Sequence, residues 1–383
     1  MTDIELFDCT TIDQITWPNT PDGLYAKRYL EPFLRNHSAH FIRNVDTKLY
    51  ILFVDNHVLP ITVNESEYEN SYVCSPYTHY VSYAKQELTM LQSPAIERLL
   101  SIVLAGVGYL LKSAKANKVV HVNNWLLSTN LYPHLSKQQI TDIVHFLTKQ
   151  FPDHYIVFRS LTEELNTLAI AISQQLGSKL IPSRQIYMLK PSDPHSTNAK
   201  ARWLVKRDYR LLAKHGYEVV NHTQLTQEDI PRILYLYNAL YLEKYSYYNP
   251  QFTEQFLKLV LDERILELYA LKKDGQIDAV LGFFCRSGVM TTPLFGYDTS
   301  APKQLGLYRM LSSVLLSIAE NNGHLLHESS GAAEFKRNRG AVSAIEYSAV
   351  YDKHLNWQRK ICWSLLGAIL NRIGVPLLKK NKL

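Results

Sequence analysis

Nothing in this sequence is spaced to hold a metal. Its four cysteines, Cys9, Cys74, Cys285 and Cys362, lie far apart. No pair forms C-x-x-C, and none has a histidine at ligand spacing. A zinc module and a disulfide framework are therefore not expected, and reduced thiols of a cytoplasmic protein are. Long apolar runs are also missing. The longest, IVLAGVGYLL from Ile102 to Leu111, is shorter than the ~18 residues that cross a bilayer and reads as a buried helix. The opening MTDIELFDCTTIDQ is acidic and polar, without the apolar stretch of a secretory signal. Charge is only mildly one-sided: 41 Lys and Arg against 35 Asp and Glu leave +6. That balance suits an anionic ligand, a nucleic acid or an anionic membrane surface and does not choose among them.

What is present is a globular chain of 383 residues, 46% hydrophobic and 20% charged. That length predicts two domains of roughly 150–200 residues each. Alternating β-branched residues in AHFIRNVDTKLYILFVDNHVLPITVN, broken at Asp55-Asn56, predict a hairpin. A Tyr-rich strand is expected in YVCSPYTHYVSYAKQEL, and a helix from Pro94. Strands and crossover helices then alternate to about Lys190, which predicts an α/β domain over 1–190. PSDPHSTNAK (191–200) carries the best linker signal, and a basic helix ending at Gly216 follows, so 191–216 reads as linker plus helix. Its cations, Arg202, Lys206, Arg207, Arg210 and Lys214, fit a solvated face or an anion-facing one. From Tyr217 the order is β-α-α-β-β-β-α-β-α-β, giving a second domain over 217–353 and an amphipathic tail over 354–383.

One stretch concentrates charge and turn residues: HESSGAAEFKRNRGA, His327 to Ala341, places Lys336, Arg337 and Arg339 just after a Ser-Ser-Gly turn. Glu328 sits at the end of the preceding strand, where α/β sites gather, and is the general-base candidate. His327 is the alternative on the opposite face of that strand. Tyr297 closes the third central strand and is the candidate acid. Tyr245, Tyr247 and Tyr248 fall in a loop between two helices, offering rigid contact area with a hydrogen-bonding tip.

The element order of the second half resembles the GNAT acyltransferase fold. In that family the loop before the helix that follows the fourth strand presents backbone N–H groups to the pyrophosphate of acyl-CoA, as helix N-termini do for anions. The corresponding stretch is APKQLGLYRML, which assigns Gln304, Gly306, Leu307 and Tyr308 to the donor. Phe335-Lys336, Gly340 and Glu346-Tyr347 further resemble the tandem-GNAT branch of Fem-type aminoacyl transferases and cellulose-biosynthesis-type N-acyltransferases. The resemblance implies two GNAT-like domains in tandem, each a mixed central sheet flanked by helices. It implies Lys336 as the cation beside a developing oxyanion, and it leaves Arg337 and Arg339 for clamping a phosphate or carboxylate.

The implied activity is N-acyl transfer from acyl-CoA or an acyl carrier protein to an amine of a small molecule or cell-envelope precursor, with no metal. Two other readings stay open. One is an aminoacyl-tRNA-dependent transferase, in which the basic helix would meet tRNA. The other is an inactive GNAT fold serving as a binding module. The tail carries Trp357, Ile361, Leu365 and Ala368 at helical spacing, joined by Leu366 and Ile369. Arg359, Lys360, Arg372, Lys379, Lys380 and Lys382 flank them. It reads either as a helix packed on the body or as a peripheral contact with the inner membrane face.

Overall fold

The computed structural model describes residues 2–88 and 93–381, with the side chains of 379–381 left out of the description. The chain forms two compact units. Unit 1 takes Met1–Ser183, Tyr248–Gln251 and Ile345–Leu377, and unit 2 takes Arg184–Tyr247, Phe252–Ala344 and Leu378–Leu383. These divisions fall at Ser183 and Ala344, where the sequence pattern put 190 and 353. The linker and basic helix belong to unit 2, and most of the tail belongs to unit 1.

Unit 1 opens with β1 (Ile4–Phe7) and α1 (Pro21–Arg35). The helix starts because the Thr20 hydroxyl accepts from Gly23 N and Pro21 pre-sets the first turn. β2 (Lys48–Val54) and β3 (His57–Asn64) form the expected hairpin, with Asp55 at φ 50° in its turn. The Tyr-rich segment is helical, not a strand: a π-helical turn over Thr78–Tyr83 runs into α2 (Ala84–Glu87). Tyr77 and Val81, four residues apart, join Tyr80 in one core, which overrides the β preference of tyrosine. Then come α3 (Pro94–Ser113), β4 (Val119–Val122), α4 (Lys137–Gln150), β5 (Tyr155–Leu161), α5 (Glu163–Leu176) and β6 (Lys179–Leu189).

Unit 2 contains α6 (Ala199–His215), β7 (Glu218–Asn221), α7 (Ile230–Asn238) with a π-helical continuation over Ala239–Tyr245, and α8 (Glu254–Glu263). The remaining elements are β8 (Glu267–Lys273), β9 (Gln276–Arg286), β10 (Val289–Tyr297), α9 (Leu307–Asn321), β11 (Leu325–His327) and α10 (Ala333–Asn338). The expected second-half order is present element for element. β12 (Val342–Tyr351), α11 (Trp357–Ile369) and α12 (Val375–Asn381) complete the chain.

Each unit, taken alone, pairs its strands in the same sequence. Unit 1 runs β1-β2-β3-β4-β5-β12, and only β4 and β5 are parallel. Unit 2 runs β7-β8-β9-β10-β11-β6, and only β10 and β11 are parallel. In both, the parallel pair is bridged by one helix, α4 or α9, as a parallel crossover requires. Both are thus mixed α/β sheets of one plan, and each borrows its last strand from a remote part of the sequence.

The cores are separate. In unit 1, Val120, Val122, Ile156 and Phe158 meet α4 and α5 on one sheet face. Val119, Tyr155 and Val157 meet α3 and α11 on the other. In unit 2, Leu281, Met290 and Leu326 pack under Met310, Leu311 and Val314 of α9.

Candidate active site

β10 and β11 are paired only at Val289–Thr291 with Leu325–His327. Beyond that register β10 continues to Tyr297, whereas β11 stops and its chain turns to β6: Glu328 N donates to Tyr187 O at 2.8 Å, and Tyr187 N to Ser329 O at 3.2 Å. The parting of two parallel strands leaves their C-terminal ends as the place where side chains converge.

Glu328 sits at that parting. Its Oε2 is shielded from solvent and has no hydrogen-bond partner among the described residues. Burial pushes its carboxyl up to about 7, against the pull of Lys336 and Arg339. His327, on the other face of β11, accepts through Nδ1 from Ser329 N at 3.2 Å, which fits a turn-holding residue.

Lys336 is buried, 7% exposed, and its ammonium is fully engaged. It donates to the backbone oxygens of Glu328 at 2.6 Å, Ser330 at 2.8 Å and Ser329 at 3.3 Å. An ammonium has three donors, so none remains for a developing oxyanion. The loop it holds is strained at Ser329 and Ala332, which lie at positive φ, 56° and 49°. Burial lowers the Lys336 ammonium to about 8, partly offset by Glu328. Lys336 therefore stands as the clamp that fixes the Glu328 turn.

The neighbouring cations also have partners. Arg337 Nη1 donates to Tyr187 Oη at 3.0 Å, and the same hydroxyl accepts from Gln185 Nε2 at 2.6 Å. Arg339 pairs with the fully buried Asp208 of α6, its Nε at 3.0 Å, and its guanidinium lies 3.3 Å from the Phe335 ring centroid. Asp208, unremarked in the sequence reading, is the reason for Arg339. An acidic residue amid the cations of a basic helix was the available signal.

The donor-side residues divide by role. Gly306 is the N-cap of α9, at φ 78°. Leu307 is buried in the core, so only its amide faces outward. Gln304 is exposed, and its carbonyl faces Arg309 Nη2 at 3.5 Å. Arg309 was missed by sequence reasoning, yet it sits over Gly306: a Cβ there would meet its Nη2 at 2.7 Å. Four amides at the start of a helix, with a guanidinium beside them, suit a phosphate.

Tyr308 turns inward. Its ring contacts Phe335 at 4.7 Å, Phe295 at 5.6 Å and Tyr297 at 5.9 Å between centroids. Burial and the charge of Glu328 hold its hydroxyl well above the usual phenol range, so it stays protonated. Tyr297 Oη accepts from Lys244 Nζ at 3.1 Å. Tyr245, 40% exposed, joins this group through the same Lys244, whose Nζ lies 5.6 Å from its ring centroid and 5.7 Å from that of Tyr297, and partial burial raises its phenol. Tyr247 is exposed. Tyr248 belongs to unit 1, where its carbonyl accepts from Tyr72 N at 3.2 Å and Ser71 Oγ at 2.9 Å.

Unit 1 has the same parallel pair but a filled end. Its loop after β4 is tied to β5 and neighbours by buried side chains: Asn130 N donates to Ser160 Oγ at 3.1 Å, and Arg159 Nη1 donates to Asn124 Oδ1 at 3.2 Å. Trp125, Leu126 and Leu127 are buried alongside. Among the described residues no group of His, Cys, Asp or Glu in either unit could hold a metal ion.

Comparison with known proteins agrees with the geometry of unit 2. Among curated proteins none matches the chain. Similar solved structures include the L-PGS of Bacillus licheniformis, 16% identical, covering 60% of this chain and 78% of that one, at TM-score 0.45. A second is FemX, 10% identical, covering 56% and 77%, at TM-score 0.43. A third is a conserved protein of unknown function from Bacteroides thetaiotaomicron, 11% identical, covering 92% and 100%, at TM-score 0.49. The family model described as "Acetyltransferase (GNAT) domain" matches residues 199–337, which run from α6 into α10. Over that stretch unit 2 is similar to the acetyltransferase domain of the GNAT family.

Proposed function

We propose that unit 2 moves an acyl group from a thioester donor, acyl-CoA or an acyl carrier protein, to the amine of a small molecule or cell-envelope precursor. The observation that carries this reading is Glu328: a half-buried carboxyl with one oxygen, Oε2, shielded from solvent and without a partner among the described residues, raised to about 7, at the parted ends of β10 and β11. An acceptor amine arrives as an ammonium and must lose a proton before it attacks, and a base poised near neutrality does this best. The C–N bond then forms and the C–S bond breaks. The amine's protons go to Glu328 and, through Tyr297, to the departing sulfur. Lys244 on Tyr297 Oη offsets the charge left on the phenol.

The donor's phosphates are assigned to the first amides of α9 and to Arg309, with Gly306 allowing close approach. Tyr245 and Tyr308 line the acceptor side. Lys336 acts through the Glu328 turn and is a positioning residue. The test is to incubate the purified chain with acyl-CoAs of increasing length and a panel of amines, and to follow free thiol. Thiol release that depends on the amine supports the reading. Release by none, with no thermal stabilisation by any donor, favours a binding module.

One observation favours an aminoacyl-tRNA donor as a second reading. The outer side of α6 exposes Trp203 and Tyr209 among Arg202, Lys206, Arg210 and Lys214, the mixture of stacking and charge that single-stranded RNA uses. Filter binding of tRNA that weakens steeply with salt would support it.

A further inference from the structure

α3 is not the buried helix that its sequence suggests. Two helices among the described residues are long and apolar enough to cross a membrane, Pro94–Ser113 and Trp357–Leu378, and most of each is uncovered. Both belong to unit 1 and both rest on the same sheet face. Val107 and Leu111 of α3 pack with Cys362, Trp363 and Leu366 of α11 over Val119, Tyr155 and Val157. They form one helical layer, and their opposite sides point away from the sheet. On that outer side Leu99, Ile102, Tyr109, Trp357, Ile361 and Leu365 are between 45% and 78% exposed. An apolar surface of this kind, contributed by two elements remote in sequence, calls for an occupant.

Charge says which one. No acidic residue occurs between Glu97 and Asp142, or after Asp352 to the end of the chain. Exposed Arg98, Lys112 and Lys115 border α3, and Lys353 and Arg372 border α11. Cations around an apolar face with a tryptophan and a tyrosine in it match an anionic lipid headgroup layer over acyl chains.

We propose that α3 and α11 together form a monotopic membrane-docking surface, lying in the plane of an anionic bilayer with their outer side in the acyl boundary. Spanning is disfavoured by the anchors beneath. Arg359 of α11 donates to Ala114 O at 3.0 Å and Asp153 O at 2.6 Å, and lies 4.4 Å from the Tyr155 ring centroid. Lys179 Nζ holds the Lys360 carbonyl at 2.6 Å. A helix fixed to a sheet along one side cannot be surrounded by lipid. The surface extends the tail contact expected from sequence to a second helix, and it stands whether or not unit 2 transfers acyl groups.

The experiment is flotation of the full chain with phosphatidylcholine vesicles, with and without phosphatidylglycerol. The wild type is expected to float with the anionic vesicles and to be released by alkaline carbonate. Leu99→Glu/Ile102→Glu and Ile361→Glu/Leu365→Glu are each expected to weaken partitioning by about tenfold or more. Their melting temperatures should stay near wild type because the replaced side chains are exposed. Leu99→Gln/Ile102→Gln and Ile361→Gln/Leu365→Gln repeat the comparison should a Glu variant fold poorly. A wild type that stays unbound, or folded variants of either helix that bind like wild type, overturns the proposal. Retention after carbonate means the helices span and overturns it equally. A wild-type dimer that the variants convert to monomer, with no flotation by any form, assigns the face to a second copy instead.

Discussion

Lys336 Nζ donates to the backbone oxygen of Glu328 at 2.6 Å, holding by its main chain the residue whose Oε2 has no hydrogen-bond partner among the described residues. Lys336 thus belongs to the fold of the site as well as to its charge balance. Lys336→Ala should both cut turnover by at least tenfold and lower the melting temperature, because three carbonyls lose their donor inside the protein. Lys336→Met, which keeps the apolar stem, should recover part of the stability and none of the turnover. Thermal melts beside initial rates check this. An activity loss with an unchanged melt would return Lys336 to direct chemistry.

Glu328 makes a prediction with a definite sign. Its carboxyl is raised in the folded state, so between its unfolded value, roughly 4.3, and about 7 the folded chain binds more protons than the unfolded one. Stability contributed by the neutral acid is full below that window and is lost as pH rises through it. Glu328→Gln should remove this loss: relative to the variant, wild type should weaken from pH 4.5 to 7 by up to ~3 kcal/mol and then hold level. The variant should also lose at least a hundredfold in turnover and the alkaline rise in rate. Urea melts at several pH values, with matching rate profiles, measure both.

How far the sequence could carry the reading is visible in particular elements. The second-half order and Glu328 at the end of β11 were legible because hydrophobic period and turn residues mark strand ends locally. The partners were not. Asp208 lies 131 positions from Arg339, and no local pattern announces such a pair. Nor could spacing tell that the Lys336 ammonium turns back onto its own loop. α3 misled for a different reason: an apolar run shows that a helix avoids water, not whether protein or lipid provides the cover. The Tyr-rich segment at 72–88 failed because packing overrode propensity.

Arg309 offers a cleaner test of the donor site than Gly306. Any side chain at Gly306 is strained at φ 78° and strikes Arg309 as well, so a loss there has two causes. Arg309→Ala should weaken donor binding by about tenfold, in keeping with one charge-assisted contact to phosphate, and leave the melting temperature unchanged. Calorimetric titration with CoA gives the affinity directly. Equal affinity in wild type and variant would move the phosphates away from α9.

Asp208 and Arg339 predict a large structural effect without a direct catalytic one. Both are buried, at 0% and 5% exposure, and Arg339 also donates to Phe335 O at 2.9 Å. Removing Asp208 leaves the Arg339 charge unpaired in a poorly solvated site, which costs roughly 3–5 kcal/mol, whereas removing Arg339 leaves Asp208 with the half-exposed Arg207 at 3.2 Å. Asp208→Asn should lower unfolding stability by that order, and Arg339→Met by less, because Arg207 still faces Asp208. The double variant should be less damaging than the sum of the two, because no lone charge remains. Denaturant unfolding of the four proteins closes the cycle. If Arg339 instead gripped substrate, Arg339→Met would raise KM and spare stability, and the coupling to Asp208 would vanish.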